Sequence, residues 1–262
     1  MPNLFCTCRV PALLLLGALA LPATGQVAAP PASPADSTTQ WGIGAGVNIK
    51  RQGYAGVGSK TTGIPLLSYE NQWLRFAGPT LDLKAPLASP LALALRARYA
   101  FEDGYEASDA SALAGMDERK SSLWLGLALG WRGEYANASA EWLADAGSHS
   151  GGKRARASID KPLRAGPFLI SPRVALNWVD RDYVDYYYGV RASEARAGRP
   201  MYAGDAALNA ELGVRMAYRF GSGHSVYGDV SVTRLDDAIA DSPLVDRQRE
   251  SALRLGYLYQ FR

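Results

Sequence analysis

The chain has little of what most protein chemistries require. Among 262 residues there are two cysteines, Cys6 and Cys8, both ahead of residue 10, and two histidines, His149 and His224. So few thiols and imidazoles exclude a disulfide-stapled scaffold and a zinc cluster. A net charge of +3 is too small to point to nucleic acid. Phosphate loops, nucleophile elbows and metal-spaced His/Cys pairs are missing as well. The expectation is a protein with no catalytic residues, no cofactor and no metal, that is, not an enzyme. Long apolar runs are also lacking. The longest, 10–21, is a dozen residues broken by Pro11 and Gly17, whereas a helix needs about 20 apolar residues to cross a bilayer. No stretch of useful length keeps the 3.6-residue period of an amphipathic helix.

What is present begins with that N-terminal run. Arg9 precedes it and the small residues Ala23, Thr24 and Gly25 follow, the order of a secretory signal. A signal peptide is therefore expected over 1–25, with cleavage after Gly25 or Ala29, and both cysteines leave with it. Residues 26–40 are rich in Pro, Ala, Ser and Thr and carry one charge, which predicts a flexible leader facing the periplasm. The remaining 41–262 form one domain.

That domain is a succession of period-two segments. In 91–101 the residues Leu91, Leu93, Leu95, Ala97, Tyr99 and Phe101 alternate with Ala92, Ala94, Arg96, Arg98 and Ala100. In 208–220 the apolar series from Leu208 to Phe220 alternates with Asn209, Glu211, Gly213, Arg215 and Arg219. The segments 123–132 and 253–261 behave alike. Period two means strand. The repeats run nine to thirteen residues, the span of a tilted strand across a bilayer, where a soluble sandwich would use five or six. The apolar faces end in aromatics such as Trp131, Trp178, Phe220 and Phe261, which favour the membrane–water boundary.

Strands are expected near 41–49, 63–70, 72–77, 78–84, 91–101, 121–132, 134–143, 153–163, 167–179, 207–220, 225–234 and 249–261. The intervening turns are short, Gly133 alone in one case, and alternate with long loops at 102–120, 180–206 and 235–248. An open sheet edge in hydrocarbon would leave its backbone groups unpaired at several kcal/mol each, so the first and last strands must meet. The fold class is thus all-β, a transmembrane antiparallel up-and-down β-barrel of about twelve strands, with ten as the alternative count. Its place is the cell outer membrane, its termini and short turns periplasmic and its long loops external. Arg96, Arg98, Arg173, Glu211, Arg215 and Arg219, along with Arg254, Glu141 and Asp160, face the lumen and either line a pore or close it with ion pairs.

The last strand, with Arg254, Gly256, Tyr257, Tyr259 and Phe261, resembles the terminal strand read by the barrel insertion machinery, with Arg262 as one extra residue. From Trp178 onward the chain is similar to the MltA-interacting protein (MipA)/OmpV family. Trp178, Asp180, Arg181 and Tyr183, then Tyr187, Tyr188, Gly189 and Val190, follow its W-x-D-x-x-Y…Y-F-G-V signature, with Tyr188 in place of Phe. Tyr202 fits a following Y…A-G pattern. Arg234 and Leu235, then Asp237, Ser242, Pro243 and Leu244, resemble its R-L…D-A-x-x-S-P-I/L-V loop, and Tyr54 with Ile64-Pro65-Leu66 echoes its N-terminal part. The resemblance implies a non-catalytic outer-membrane scaffold that brings a murein-cleaving lytic transglycosylase together with a bifunctional murein synthase. Two rivals are a narrow channel for small solutes and, far behind, a rim hydrolase built on His149 in its Gly/Ser-rich loop beside Asp145.

Overall fold

The computed structural model describes residues 39–85, 87–101 and 103–261. The expected signal peptide, and the leader up to residue 38, lie outside the described residues, as does Arg262. Thirteen strand segments follow one another: β1 (Gln40–Arg51), β2 (Ser59–Glu70), β3 (Leu74–Ala77), β4 (Thr80–Ala85), β5 (Leu91–Ala100), β6 (Ser122–Arg132), β7 (Asn137–Asp145), β8 (Lys153–Asp160), β9 (Leu163–Ala165), β10 (Phe168–Val179), β11 (Ala207–Phe220), β12 (His224–Arg234) and β13 (Arg249–Phe261). Two short helices, α1 (Arg181–Tyr188) and α2 (Asp237–Ala240), interrupt the loops.

Successive strands pair antiparallel, except that β8 and β9 both pair with β10, and β1 pairs with β13 from Trp41↔Phe261 to Arg51↔Ser251, which closes the cylinder. β8 and β9 are two pieces of one wall strand. Both bond to β10, β8 along 173–179 and β9 along 168–170. Between them stand Lys161, whose N–H reaches the Pro172 oxygen at 3.1 Å, and Pro162, which has no N–H for a ladder. The wall therefore has twelve strands. Closure pairs the first strand with the last, so neither is left as an open edge in the membrane.

Side-chain parity is as the period-two pattern requires. Leu95 is 53% exposed on the outside, while its neighbour Arg96, pointing inward, is 3% exposed. Exposed leucines and valines cover the outer belt. At the end holding the short turns, Trp41, Trp131, Phe168, Phe220, Tyr257, Tyr259 and Phe261 form an aromatic girdle, in which His224 Nδ1 lies 2.7 Å from the Tyr257 hydroxyl.

Three details differ from the sequence expectation. The β6–β7 turn is 133–136, not Gly133 alone, closed by the Gly133 N–H on the Ala136 oxygen at 3.0 Å. β1 takes in Gln40, which the leader was expected to include, and β2 starts at Ser59 rather than 63, because Ser59 to Thr62 still register against β1. The third is a notch. β3 meets β2 only at Ser68, Tyr69 and Glu70, and the β3–β4 turn at Gly78 bonds the Leu67 oxygen, so among the described residues no strand lines the outer edge of β2 above that point. By the alternation of an antiparallel ladder, Pro65 shares the edge-facing set with Leu67, and a proline there presents no orphan N–H.

Candidate functional site

Inside the wall, charged side chains meet across the lumen. On one side Asp82 of β4 takes two bonds from Arg96, at 2.7 and 2.8 Å, and Arg96 reaches on to Glu141 at 2.6 Å. Arg98 grips the same Glu141 at 2.8 and 3.0 Å. On the other side Asp229 of β12, fully buried, receives Arg173 at 2.6 and 3.0 Å, Arg215 at 3.1 Å and Arg254 at 3.4 Å. Arg173 also bonds Glu211 at 3.0 Å, and Arg156 holds Glu211 at 2.8 and 3.1 Å. Planar guanidinium forks suit such bidentate pairing. Glycine makes room for it: a Cβ on Gly213 would stand 2.6 Å from the Arg173 guanidinium carbon.

These pairs partition the lumen. Above them lies a chamber of about 240 Å³, below them one of about 220 Å³. Arg96 faces the upper chamber and its partner Asp82 the lower; Arg254 faces the upper and Arg215 the lower. The cations of the upper chamber are Lys50, Arg96, Arg98, Arg154, Arg156 and Arg254. Its carboxylates are Asp103, Glu141, Glu211 and Glu250.

The long loops roof the upper chamber. The period-two sequence gave no hint of a helix there, yet 181–188 forms one because Asp180 caps it, accepting the Tyr183 N–H at 3.1 Å. α1 drops Val184, Tyr187 and Tyr188 into an apolar cluster with Tyr54, Tyr105, Leu113, Val190, Ile239 and Leu244. Tyr54 stacks on Tyr188 with centroids 5.2 Å apart, and its hydroxyl donates to the Tyr187 oxygen at 3.1 Å. Burial pushes the hydroxyls of Tyr54, Tyr183 and Tyr188 well above the ordinary phenol range and that of Tyr105 up to about 12. Ser242 donates to the Tyr188 oxygen at 2.6 Å, and Tyr202 donates to the Ala238 oxygen at 2.9 Å while its backbone pairs with Val190. The loop 101–121 is tied in by Arg119. This buried guanidinium bonds both Glu194 oxygens at 2.8 Å and the Tyr186 oxygen at 2.6 Å. Burial alone would raise the Glu194 carboxyl. The N–H groups of Arg191 and Asp117 and the Arg119 charge outweigh it and hold that carboxyl below the usual range.

The sequence-expected residues fall in three places. Tyr183, Tyr187, Tyr188, Gly189, Val190, Tyr202, Ser242 and Pro243 gather in the roof, with Gly189 donating its N–H to the Asp185 oxygen at the end of α1. Trp178 is half-buried at the top of β10, and Arg181 and Asp237 lie exposed on the outer surface of the roof. Arg96, Arg98, Arg173, Glu211 and Arg215 join the partition, whereas Arg219 has inward parity but sits exposed at the turn end of β11. Glu141 and Arg254 join the partition too, while Asp160 pairs with Asn137 at the turn end, 3.1 Å away. In β13, Tyr259 and Phe261 point outward and Gly256 faces Tyr227, whose ring a Cβ would meet at 2.6 Å. His149 is exposed. Its loop is not loose: the Asp145 carboxylate accepts the N–H groups of Gly147, His149, Ser150 and Gly151 and the Ser122 hydroxyl. Sequence reasoning missed Asp82, Asp229 and the Arg119–Glu194 tie. The first two were findable as lone carboxylates on the inward parity of apolar strands.

A closed, apolar-belted barrel with a polar interior restricts the candidates to membrane proteins. The family described as "MltA-interacting protein MipA" matches residues 43–261. The chain belongs to that family. It is 26% identical over 246 residues to the MltA-interacting protein of Escherichia coli K12, covering 93% of this chain and 99% of the relative. It is 26% identical over 157 residues to outer membrane protein OmpV of Vibrio cholerae, covering 60% and 61%. A solved NanC porin aligns over 85% of this chain and 99% of its own, with a TM-score of 0.42 and 11% identity. The protein is an outer-membrane β-barrel of the family.

Proposed function

We propose that the barrel is an interaction platform that holds a murein-cleaving lytic transglycosylase, and through it a murein synthase, at the periplasmic face of the outer membrane. The observation that carries this reading is the obstructed lumen. A roof of packed tyrosines and a partition of ion pairs leave the rims as the surfaces open to a folded partner. The periplasmic rim offers Trp73, 54% exposed, and Tyr135, 76% exposed, the type of aromatic anchor on which interfaces depend. The name carried by the Escherichia coli relative supports the partner class. β13, ending in outward Tyr259 and Phe261, serves assembly as the strand read by the insertion machinery.

The test is capture of a lytic transglycosylase from crosslinked envelopes. The wild-type barrel retains it, and the double variant Trp73→Ser, Tyr135→Ser loses most of it while still folding as a heat-modifiable barrel. If wild type captures no murein enzyme, the platform reading is wrong. A second reading, a gated narrow channel, is favoured by one feature: the partition is built of side chains alone, with a chamber on each side. Stepwise conductance of the wild-type protein in planar bilayers would establish it, and its absence would remove it.

A further inference from the structure

We propose that the upper chamber is a binding site for a small acidic carbohydrate. Three observations converge on it. The lining carries six cations against four carboxylates, and with the groups bonded to it from just below, Asp82, Asp229, Arg173 and Arg215, the balance is eight against six. Like charges crowd there: Arg96 and Arg98 both bond Glu141, while Arg156, which lies opposite Glu141 in the β7–β8 register, turns instead to Glu211. Guanidinium groups concentrated between protein walls attract a carboxylate more strongly than isolated ones would in open water.

The second observation concerns donors. Asn177 and Asn209 both line the chamber. The oxygen of Asn177 is taken by Arg156, and that of Asn209 accepts the Asp236 N–H at 2.8 Å. With its oxygen engaged, each amide has its N–H groups left to offer a ligand, beside the hydroxyls of Ser231 and Thr233. Such a set suits a hydroxyl-rich ring rather than a bare ion. Third, the ceiling is aromatic: Tyr54, Tyr183 and Tyr188 close the top. An aromatic surface over polar walls, in a volume of about 240 Å³, fits a ring of one sugar unit bearing a carboxylate. The proposal is independent of the periplasmic platform, since it concerns the opposite end of the barrel and stands whether or not a murein enzyme is captured.

The experiment is calorimetric titration of the folded barrel in detergent with galacturonate, galactose and inorganic phosphate. Galacturonate is expected to bind, with galactose and phosphate each at least about tenfold weaker, the loss expected when a charge-assisted or a hydroxyl contact set is absent. Arg156→Gln is expected to weaken galacturonate by about tenfold or more. Should that variant fail to run as a heat-modifiable barrel, Asn177→Asp serves in its place, and repulsion should weaken the acid there also. Equal binding of galactose, equal or tighter binding of phosphate, no binding of galacturonate, or undiminished affinity in the folded variant would each overturn the proposal.

Discussion

Arg119 and Glu194 are 75 residues apart in the chain, yet one Arg119 nitrogen lies 2.8 Å from both carboxylate oxygens, and both side chains are almost fully buried. The pair joins the 101–121 loop to the 180–206 loop directly above the barrel mouth. Its remaining donors are used too, on the Tyr186 and Asp117 oxygens. Replacing Arg119 by Ala strands a buried carboxylate. The expected cost is about 3–5 kcal/mol of local cap stability. Because the wall strands do not depend on this pair, the barrel should still form. Limited proteolysis of intact cells or proteoliposomes should then cut within 101–121 and 180–206 while β5 and β6 stay protected; unchanged protease resistance would contradict the role assigned to the pair.

The same contact makes the cap sensitive to acid. Glu194 is held below its unfolded value, so the folded loop favours the ionised form. Its stabilising contribution is complete above the ordinary glutamate value of about 4.3 and is withdrawn as pH falls through the lower folded value. Cap protection, measured by hydrogen exchange of the 180–206 backbone, is expected to be flat from neutral pH down to that range and to fall below it. Glu194→Gln should flatten the acid limb, since no proton is then taken up at this position.

Helix α1 supplies a smaller and more local test. Asp180 accepts the Tyr183 N–H at 3.1 Å, and the helix it caps carries Tyr187 and Tyr188 into the roof. Asp180→Ala is expected to cost about 1 kcal/mol. Asp180→Asn, which keeps a cap oxygen, should cost less. Near-ultraviolet circular dichroism, dominated here by packed tyrosines, should lose intensity in the first variant and keep most of it in the second.

The wall was readable because the bilayer imposes a strict rule. Every strand must alternate, so Leu95 and Arg96 declare opposite faces without any tertiary information. The strand breaks were less legible: Lys161 and Pro162 interrupt a wall strand in a way that periodicity alone does not separate from a turn, and the four residues of β3 are too few to show a period. The roof was least legible. α1 is eight residues long and is stabilised by burial against Leu244 and against Tyr54, which bonds the Tyr187 oxygen from 133 residues away, so no local pattern announces it. The lumenal arginines stood out one by one, as did Glu141 and Glu211, but Asp82 and Asp229 did not. A lone Asp82 or Asp229 acquires meaning only when the barrel closes and sets it opposite a guanidinium.

Gly213 tests how tightly the partition is packed. A methyl there would fall 2.6 Å from the carbon of the Arg173 guanidinium, a group fixed on Asp229 and Glu211 at once. Gly213→Ala should therefore push the fork off at least one carboxylate and lower the melting temperature in detergent. In a Gly213→Ala, Arg173→Met double variant the two effects should be strongly non-additive, because the alanine then has no guanidinium to displace. Additive losses would mean that the glycine serves something other than this fork.

Asp229 is the harder test, because it bears on whether the lumen conducts. One fully buried carboxylate gathers Arg173, Arg215 and Arg254. Asp229→Ala removes the centre of that cluster and leaves three guanidinium groups to repel one another across a space only a few ångströms wide. Two consequences follow from the same cause. Stability falls by about 3–5 kcal/mol, the usual penalty for deleting one member of a buried ionic cluster. The guanidinium groups also separate toward solvent, Arg254 upward and Arg215 downward, joining the two chambers. Planar bilayers containing the variant should then show steps that the wild type lacks, with a preference for anions set by the exposed arginines. If the folded variant stays electrically silent, the tyrosine roof alone seals the lumen, and Asp229 serves only to bind the wall strands together.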